Sequence, residues 1–370
     1  MKSIFFMLAL ALIFWNFTAC NSDSKKNDNG DTGTSPEDNN PFRPIELENM
    51  ARALAIAVEG KGNPEKASIA VVANLQSDFW HPNQIGISAA SGEIGCIAIF
   101  DAPLNGELSE QLAILQNRID NKYTGMAVSP IDPAGGEPTL AEAEAQGISV
   151  ITFDSEAVAN SVRKLYLGTI NRDAGRQAGM KMAQLLGSTG KVAAFAGIFT
   201  DENNASERYV GIQEALATTN VELLPPYADD AGKAVARQNV ELAISQHPDL
   251  TGIITIWSYN GPEAARAVEA LGKTGQIKIV AFDLEPDTIY HLDAGVINAA
   301  VVQRPYWMGY RSVYILYAMN VLGADATRTL LAPWFEESGN FIINTGTDVI
   351  TGENLDVYRD YLQSLGISSS

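Results

Sequence analysis

Ile277-Lys278-Ile279-Val280-Ala281-Phe282-Asp283-Leu284-Glu285-Pro286 is the stretch that decides the fold. Residues 277–282 are mostly apolar and β-branched, the composition of a strand buried on both faces, as parallel strands are. Asp283 stands at the carboxyl end of that strand, and Pro286 suits the first turn of a new helix. An earlier segment repeats the design: Val150-Ile151-Thr152-Phe153 is a buried strand with Asp154 at its end. Open α/β folds bind ligands outside the carboxyl ends of their strands. Two carboxylates delivered there, 129 positions apart (283 − 154), point to two half-sites facing one small molecule. A plainer role, capping the next helix or turn, is open to each Asp taken alone.

Around that stretch the chain alternates strand and helix. Strands are expected at 68–73, 96–100, 125–128, 149–153, 165–167, 192–196, 221–224, 252–257, 277–282 and 298–302. Helical segments fill the gaps, with a lead-in helix at 45–58 and a terminal one at 355–365. Such alternation builds βαβ units and parallel sheets. Ten strands so spaced fit two doubly wound, Rossmann-like parallel-sheet lobes, with the break near Gly168-Thr169-Ile170-Asn171. Residues 82–93 read as a poor helix because Gly86 and Gly92 lie inside it, Gly135-Gly136 reads as a turn, and 334–346 holds a short strand.

The chain has 370 residues and 46% hydrophobic content, enough for two sizeable cores. Its formal net charge of −19 argues against nucleic acid or anionic lipid as the main partner, since phosphate binding needs clustered Lys and Arg. Of its two cysteines, Cys96 lies in an apolar run and reads as a buried free thiol. The N-terminus has the form of an export signal: Lys2, then an unbroken apolar run over 4–15, too short to span a bilayer. Phe17-Thr18-Ala19-Cys20 resembles a bacterial lipoprotein cleavage box, with Cys20 as the acylated residue and Phe17 departing from the usual Leu. Residues 21–44 are Asn, Asp, Ser, Gly, Lys and Pro with almost nothing apolar, and read as a disordered tether.

No zinc-type spacing, nucleophile elbow, P-loop or dinucleotide fingerprint occurs, so no enzyme chemistry and no cofactor or metal is indicated. Asp132 and Asp154 as a catalytic pair rest only on their strand ends. The polar groups at strand ends are of another kind. They are Asn74, Ser77, Phe79 and Trp80 after the first strand, and Asp154 with Ser155 after the fourth; later come Asn204, Arg208, Asn260, Asp283 and Gln303. Carboxylates accept from paired hydroxyls, an Arg fork donates to vicinal oxygens, and aromatic rings cover apolar C–H faces. That is the chemistry of a sugar site. Each residue also has a structural alternative: packing for Phe79 and Trp80, a surface charge for Arg208, an N-cap for Asn260, a hinge contact for Gln303.

Three segments carry a resemblance: Trp257-Ser258-Tyr259-Asn260-Gly261-Pro262, Val280-Ala281-Phe282-Asp283 and Val302-Gln303-Arg304-Pro305-Tyr306. With Tyr166-Leu167-Gly168-Thr169 and Ala174-Gly175-Arg176, they make the chain similar, over about 68–366, to periplasmic sugar-binding proteins of the ribose/glucose type, the substrate-binding subunits of sugar ABC importers. It is most similar to glucose-binding members, the late segment 344–349 included. The resemblance implies the type I periplasmic binding protein fold, two lobes on a three-stranded hinge closing over one monosaccharide. It places Phe79 and Trp80 against the ring and Asp154, Arg208, Asn260, Asp283 and Gln303 on the hydroxyls, with Asn74, Ser77 and Asn204 nearby. Ser155 stands where ribose binders carry Arg, and residues 229–231 lack their Phe, which argues against ribose.

The implied organisation is a signal peptide (1–19) and lipidated Cys20 with tether (20–44), then a first lobe (45–170, completed by about 304–326). A second lobe (171–303, completed by about 327–350) and a C-terminal helix (351–370) follow. The expected protein is an exported, membrane-anchored lipoprotein monomer whose partners are a monosaccharide, probed first as glucose or another aldohexose, and an ABC permease. A chemoreceptor or sensor kinase as recipient, and an enzyme built on the same lobes, are the rival classes; the export signal occupies the place of a repressor's DNA-binding headpiece.

Overall fold

The computed structural model describes residues 40–200, 204–337 and 339–368; the signal and lipidation readings at 1–19 and Cys20 lie outside them. The first half of the chain is α1 (Ile45–Val58), β1 (Ser68–Val72), α2 (His81–Ile94), β2 (Ile97–Asp101), α3 (Leu108–Asp120), β3 (Gly125–Val128), α4 (Pro133–Ala145), β4 (Ser149–Phe153) and β5 (Tyr166–Gly168). The next run is α5 (Asn171–Leu186), β6 (Thr189–Ala196), α6 (Asn204–Leu216), β7 (Asn220–Leu223), β8 (Tyr227–Ala228), α7 (Lys233–Gln246), β9 (Gly252–Thr255), α8 (Asn260–Ala270), β10 (Lys278–Phe282), α9 (Pro286–Asp293) and β11 (Ala299–Val302). The chain ends with α10 (Pro305–Leu322), α11 (Ala324–Leu331), β12 (Ile342–Asn344), β13 (Asp348–Ile350) and α12 (Leu355–Ser364).

The strands form two sheets, ordered β12-β5-β4-β3-β1-β2 and β13-β11-β10-β9-β6-β7, with β8 beside β6. The first is parallel throughout, and in the second only β13 runs antiparallel, against β11. Helices cover both faces, and the sheet interiors are the fully buried apolar runs that parallel pairing requires. This is the doubly wound, two-lobed type I periplasmic binding protein fold.

The chain passes between the lobes at 168–171, 302–305 and 344–348. The Thr169 hydroxyl donates to Gln303 Oε1 at 2.8 Å, tying the first crossing to the second. Arg304 grips Asp348 through two bonds of 2.9 and 2.8 Å and donates to the Thr345 carbonyl at 3.1 Å, tying the second to the third.

Several expectations are corrected. Residues 327–344 do not complete the second lobe: β12 pairs in parallel with β5, and Leu331 and Ile343 sit in the first lobe's core; only β13 crosses over. The folded body begins before 45, because Asn40 Nδ2 donates to the Val357 carbonyl at 2.9 Å and Phe42 is buried edge-on to Tyr358. Residues 82–93 form the regular helix α2, and Gly135-Gly136 lie inside α4, which Asp132 caps by accepting from Ala134 N and Gly135 N at 3.0 Å. Cys96 is a half-buried free thiol, pushed up to about 11 by burial.

The α2 glycine has a packing reason. A Cβ on Gly86 would stand 2.2 Å from the Tyr306 carbonyl oxygen, and one on Gly309 would stand 2.3 Å from that of Asn83, so α2 and α10 touch backbone to backbone. Gly92, on the same helix, faces open space. Gly86→Ala is therefore expected to cost about 1–3 kcal/mol in urea unfolding by overpacking. Gly92→Ala should be neutral or stabilising by up to about 1 kcal/mol through helix propensity. Equal effects of the two would contradict this packing.

Candidate functional site

Asp154 ends β4 in the first lobe and Asp283 ends β10 in the second, and both adopt left-handed backbone, with φ of 59° and 62°. Asp tolerates that region better than most residues. The same device therefore turns each chain off its sheet, and each carboxylate is left only 5% exposed. Asp154 Oδ2 accepts from the Ser129 hydroxyl at 3.0 Å and the Ser155 hydroxyl at 3.4 Å. Asp283 accepts from Gln303 N at 3.2 Å and from Gln303 Nε2 at 3.2–3.4 Å. The Tyr166 hydroxyl reaches the Asp154 and Thr169 carbonyls at 2.9 and 3.1 Å, fixing the backbone where the first crossing leaves β5.

Arg208, on α6, is only 2% exposed, and its charge opposes the rise that burial imposes on both acids. Its Nε donates to Asn171 Oδ1 and its NH1 to the Ile256 carbonyl, each at 2.9 Å, and the guanidinium lies over the Phe282 ring at 4.6 Å. Two glycines set its position. A Cβ on Gly175 would meet the Arg208 carbonyl oxygen at 1.9 Å and one on Gly211 the Arg172 carbonyl at 2.0 Å, so α5 and α6 lie in direct backbone contact.

Electrostatics follow from burial. Desolvation pushes the Asp283 carboxyl up to about 6, against the pull of Arg208 and the Gln303 bonds. Asp154 is raised for the same reason, opposed by Arg208 and by Ser129. Burial lowers Arg208, and the two carboxylates counter it, Asp283 more than Asp154. Two carboxylates against one guanidinium leave acceptor capacity that a neutral ligand rich in hydroxyls satisfies.

The other expected residues have partners of their own or lie apart from these bonds. Asn260 Nδ2 donates to Asp229 Oδ2 at 2.7 Å and its Oδ1 accepts from Trp257 N at 3.3 Å; the Tyr259 hydroxyl also donates to Asp229. Asn204 Oδ1 accepts from Trp257 Nε1 at 3.0 Å. Phe79 is half-buried and lines one cavity with Asp283 and Gln303, so residues of both lobes meet there. Trp80 is different from the expectation: it is 2% exposed and packs edge-on against Phe153 and Phe79 in the first lobe's core, so its ring supports Phe79. Asn74 and Ser77 are half-buried on the loop after β1 and make none of the hydrogen bonds of the Arg208 cluster. Ser129, Thr169, Asn171 and Asp229 were missed. Ser129 follows β3 as Asp154 follows β4, a signal that was present; β8, ahead of Asp229, is too short to read.

The profile of the periplasmic binding protein domain matches residues 69–323. The chain belongs to that family. Among curated relatives, a D-allose-binding periplasmic protein of Escherichia coli (strain K12) is 22% identical over 65% of this chain and 79% of its own length. The ribose import binding protein of Bacillus subtilis (strain 168) is 24% identical over 67% and 80%. Of solved structures, an ABC transporter solute-binding protein from Burkholderia graminis in complex with D-arabinose superposes with a TM-score of 0.70 and 28% identity, covering 80% of this chain and 98% of that one. A glucose-galactose binding protein from Geobacillus stearothermophilus gives 0.69 and 26%, covering 79% and 99%. The resemblance drawn from the segments at 257–262, 280–283 and 302–306 is thus borne out at the level of the family.

The raised Asp283 carboxyl has a checkable sign. Unfolding returns it to the ordinary range near 4, so between about 4 and 6 the folded state holds the extra proton. The group's contribution favours the fold at the acid end of that window and is lost as pH rises through about 6. Asp283→Asn removes the group. Its stability relative to wild type is expected to rise between pH 5 and pH 7 in paired thermal unfolding, and a flat difference would contradict the assignment.

Proposed function

We propose that this chain is the solute-binding lipoprotein of an ABC sugar importer, binding one monosaccharide between its lobes. The observation that carries the reading is a trio of buried charges: Asp154 of the first lobe and Asp283 and Arg208 of the second are each 5% exposed or less. A sugar inserted there offers hydroxyl donors to both carboxylates and oxygen acceptors to the Arg, with Phe79 against its ring. Closure of the tied hinge buries the sugar, and the closed surface is what a permease recognises. The role is binding without turnover, by a monomer held at the membrane through lipidated Cys20 and exported to the periplasmic or cell-surface side. Glucose or another aldohexose is the proposed cargo. Supporting this are the glucose-type segments of the sequence, Ser155 in place of the Arg of ribose binders, and relatives named for D-allose and for glucose and galactose.

Calorimetric titration of protein refolded free of ligand, against hexoses and pentoses, tests the reading. One aldohexose is expected to bind at one site per chain with micromolar or tighter affinity. Asp283→Ala should weaken it by about 100-fold, the loss of one or two hydrogen bonds to a charged acceptor. Because only the ionised carboxyl accepts fully, wild-type affinity should also fall as pH drops below about 6. Near wild-type affinity in Asp283→Ala would move the site elsewhere.

A further inference from the structure

Next to the carboxylate cluster lies a cavity of about 60 Å3 whose walls come from both lobes and from α12. Asp283, Gln303 and Phe79, three residues of the proposed sugar site, line one end of it. Beyond them the wall is Trp307 of α10 with Tyr358, Tyr361, Leu362 and Leu365 of the C-terminal segment. Its polar atoms are largely committed. Trp307 Nε1 donates to the Tyr361 hydroxyl at 2.7 Å, and Arg304 is taken up by Asp348 and the Thr345 carbonyl. Asp78, Asp283 and Glu285 at the rim disfavour an anion, and Glu285 already accepts from Ser258 at 2.6 Å.

We infer that this cavity is a second subsite, which takes a small uncharged apolar group carried on the sugar: the O-alkyl group of a glycoside. The inference rests on the monosaccharide reading above. Past Asp283 and Gln303, a free hydroxyl directed toward Trp307, Leu362 and Leu365 faces mostly aromatic and aliphatic carbon and loses hydrogen bonds, whereas an alkyl group gains contact with the rings. At about 10–15 Å3 per water-sized occupant the space holds roughly four, which matches a chain of one to three carbons. The wall that defines the subsite is α12. Leu362 of this helix and Leu365 just past its end pack against the cores of both lobes, so the subsite takes shape where the C-terminal segment bridges them.

The test is titration of the full chain with D-glucose, D-allose and D-ribose, each free and as both anomers of its methyl and propyl glycosides. One anomeric series is expected to bind more tightly than the free sugar, by about fourfold per buried carbon. Leu365→Trp, which fills the cavity, should reduce the ratio of propyl glycoside to free-sugar affinity to one or below. Should that variant not fold, Leu365→Ala widens the cavity and should move the optimum to a longer chain; an unmoved optimum overturns the inference. Binding of a free sugar with every glycoside equal or weaker overturns the subsite and leaves the monosaccharide reading intact. Binding of glycosides alone supports the subsite and overturns the free-sugar reading, and silence of all probes overturns both.

Discussion

Three buried charges, the Arg208 guanidinium and the Asp154 and Asp283 carboxylates from different lobes, are the constraint on which the site depends. Taking each of these charges out of water costs several kcal/mol, and attraction offsets that cost only when geometry and further hydrogen bonds are good. The geometry is supplied by backbone. Left-handed residues turn both acids off their strands, and glycines at 175 and 211 bring α5 and α6 close enough to hold Arg208 against Asn171 and the Ile256 carbonyl. Compensation remains incomplete, as the raised Asp283 shows. An incompletely satisfied acceptor cluster is suited to a polyhydroxyl ligand, since a site built of hydrogen-bonding groups disfavours analogues that leave those groups unpaired.

The crossings between the lobes are tied to that cluster. Three strands of chain pass between the lobes, and Thr169–Gln303 and Arg304–Asp348 bind each to the next. Gln303 is also a donor to Asp283, so one side chain belongs both to the hinge and to the cluster. Segments at both ends of the body lie on the same structure: Phe42 packs on Tyr358, and Trp307 bonds Tyr361 across the lobes. Asp283 is therefore bonded directly to a residue of the second crossing.

The two Phe-Asp strand ends were legible because a doubly wound fold leaves few other places for a polar residue directly after a buried strand. Gln303, directly after β11, was legible for the same reason, whereas Arg208 lies inside α6 and Asn260 opens α8, and the roles of both were read from the family resemblance. What could not be read depended on contacts distant in sequence. Phe79 and Trp80 are adjacent and chemically alike, and only the Phe153 ring decides that Trp80 belongs to the core. Gly86 looked like a helix breaker because its partner, the Tyr306 carbonyl, lies some 220 positions away (306 − 86). Residues 327–344 went to the wrong lobe because β12 has three residues, too few for a pattern. Asp229 follows the still shorter β8, and its bonds to Tyr259 and Asn260 exist only once that loop has folded back.

The most direct measurement is a crystal structure of the chain saturated with the sugar that it binds best. The account predicts one sugar between the lobes, its hydroxyls donating to Asp154 and Asp283 and its ring or hydroxyl oxygens accepting from Arg208. A sugar held by one lobe alone, or bound away from these three side chains, would contradict it.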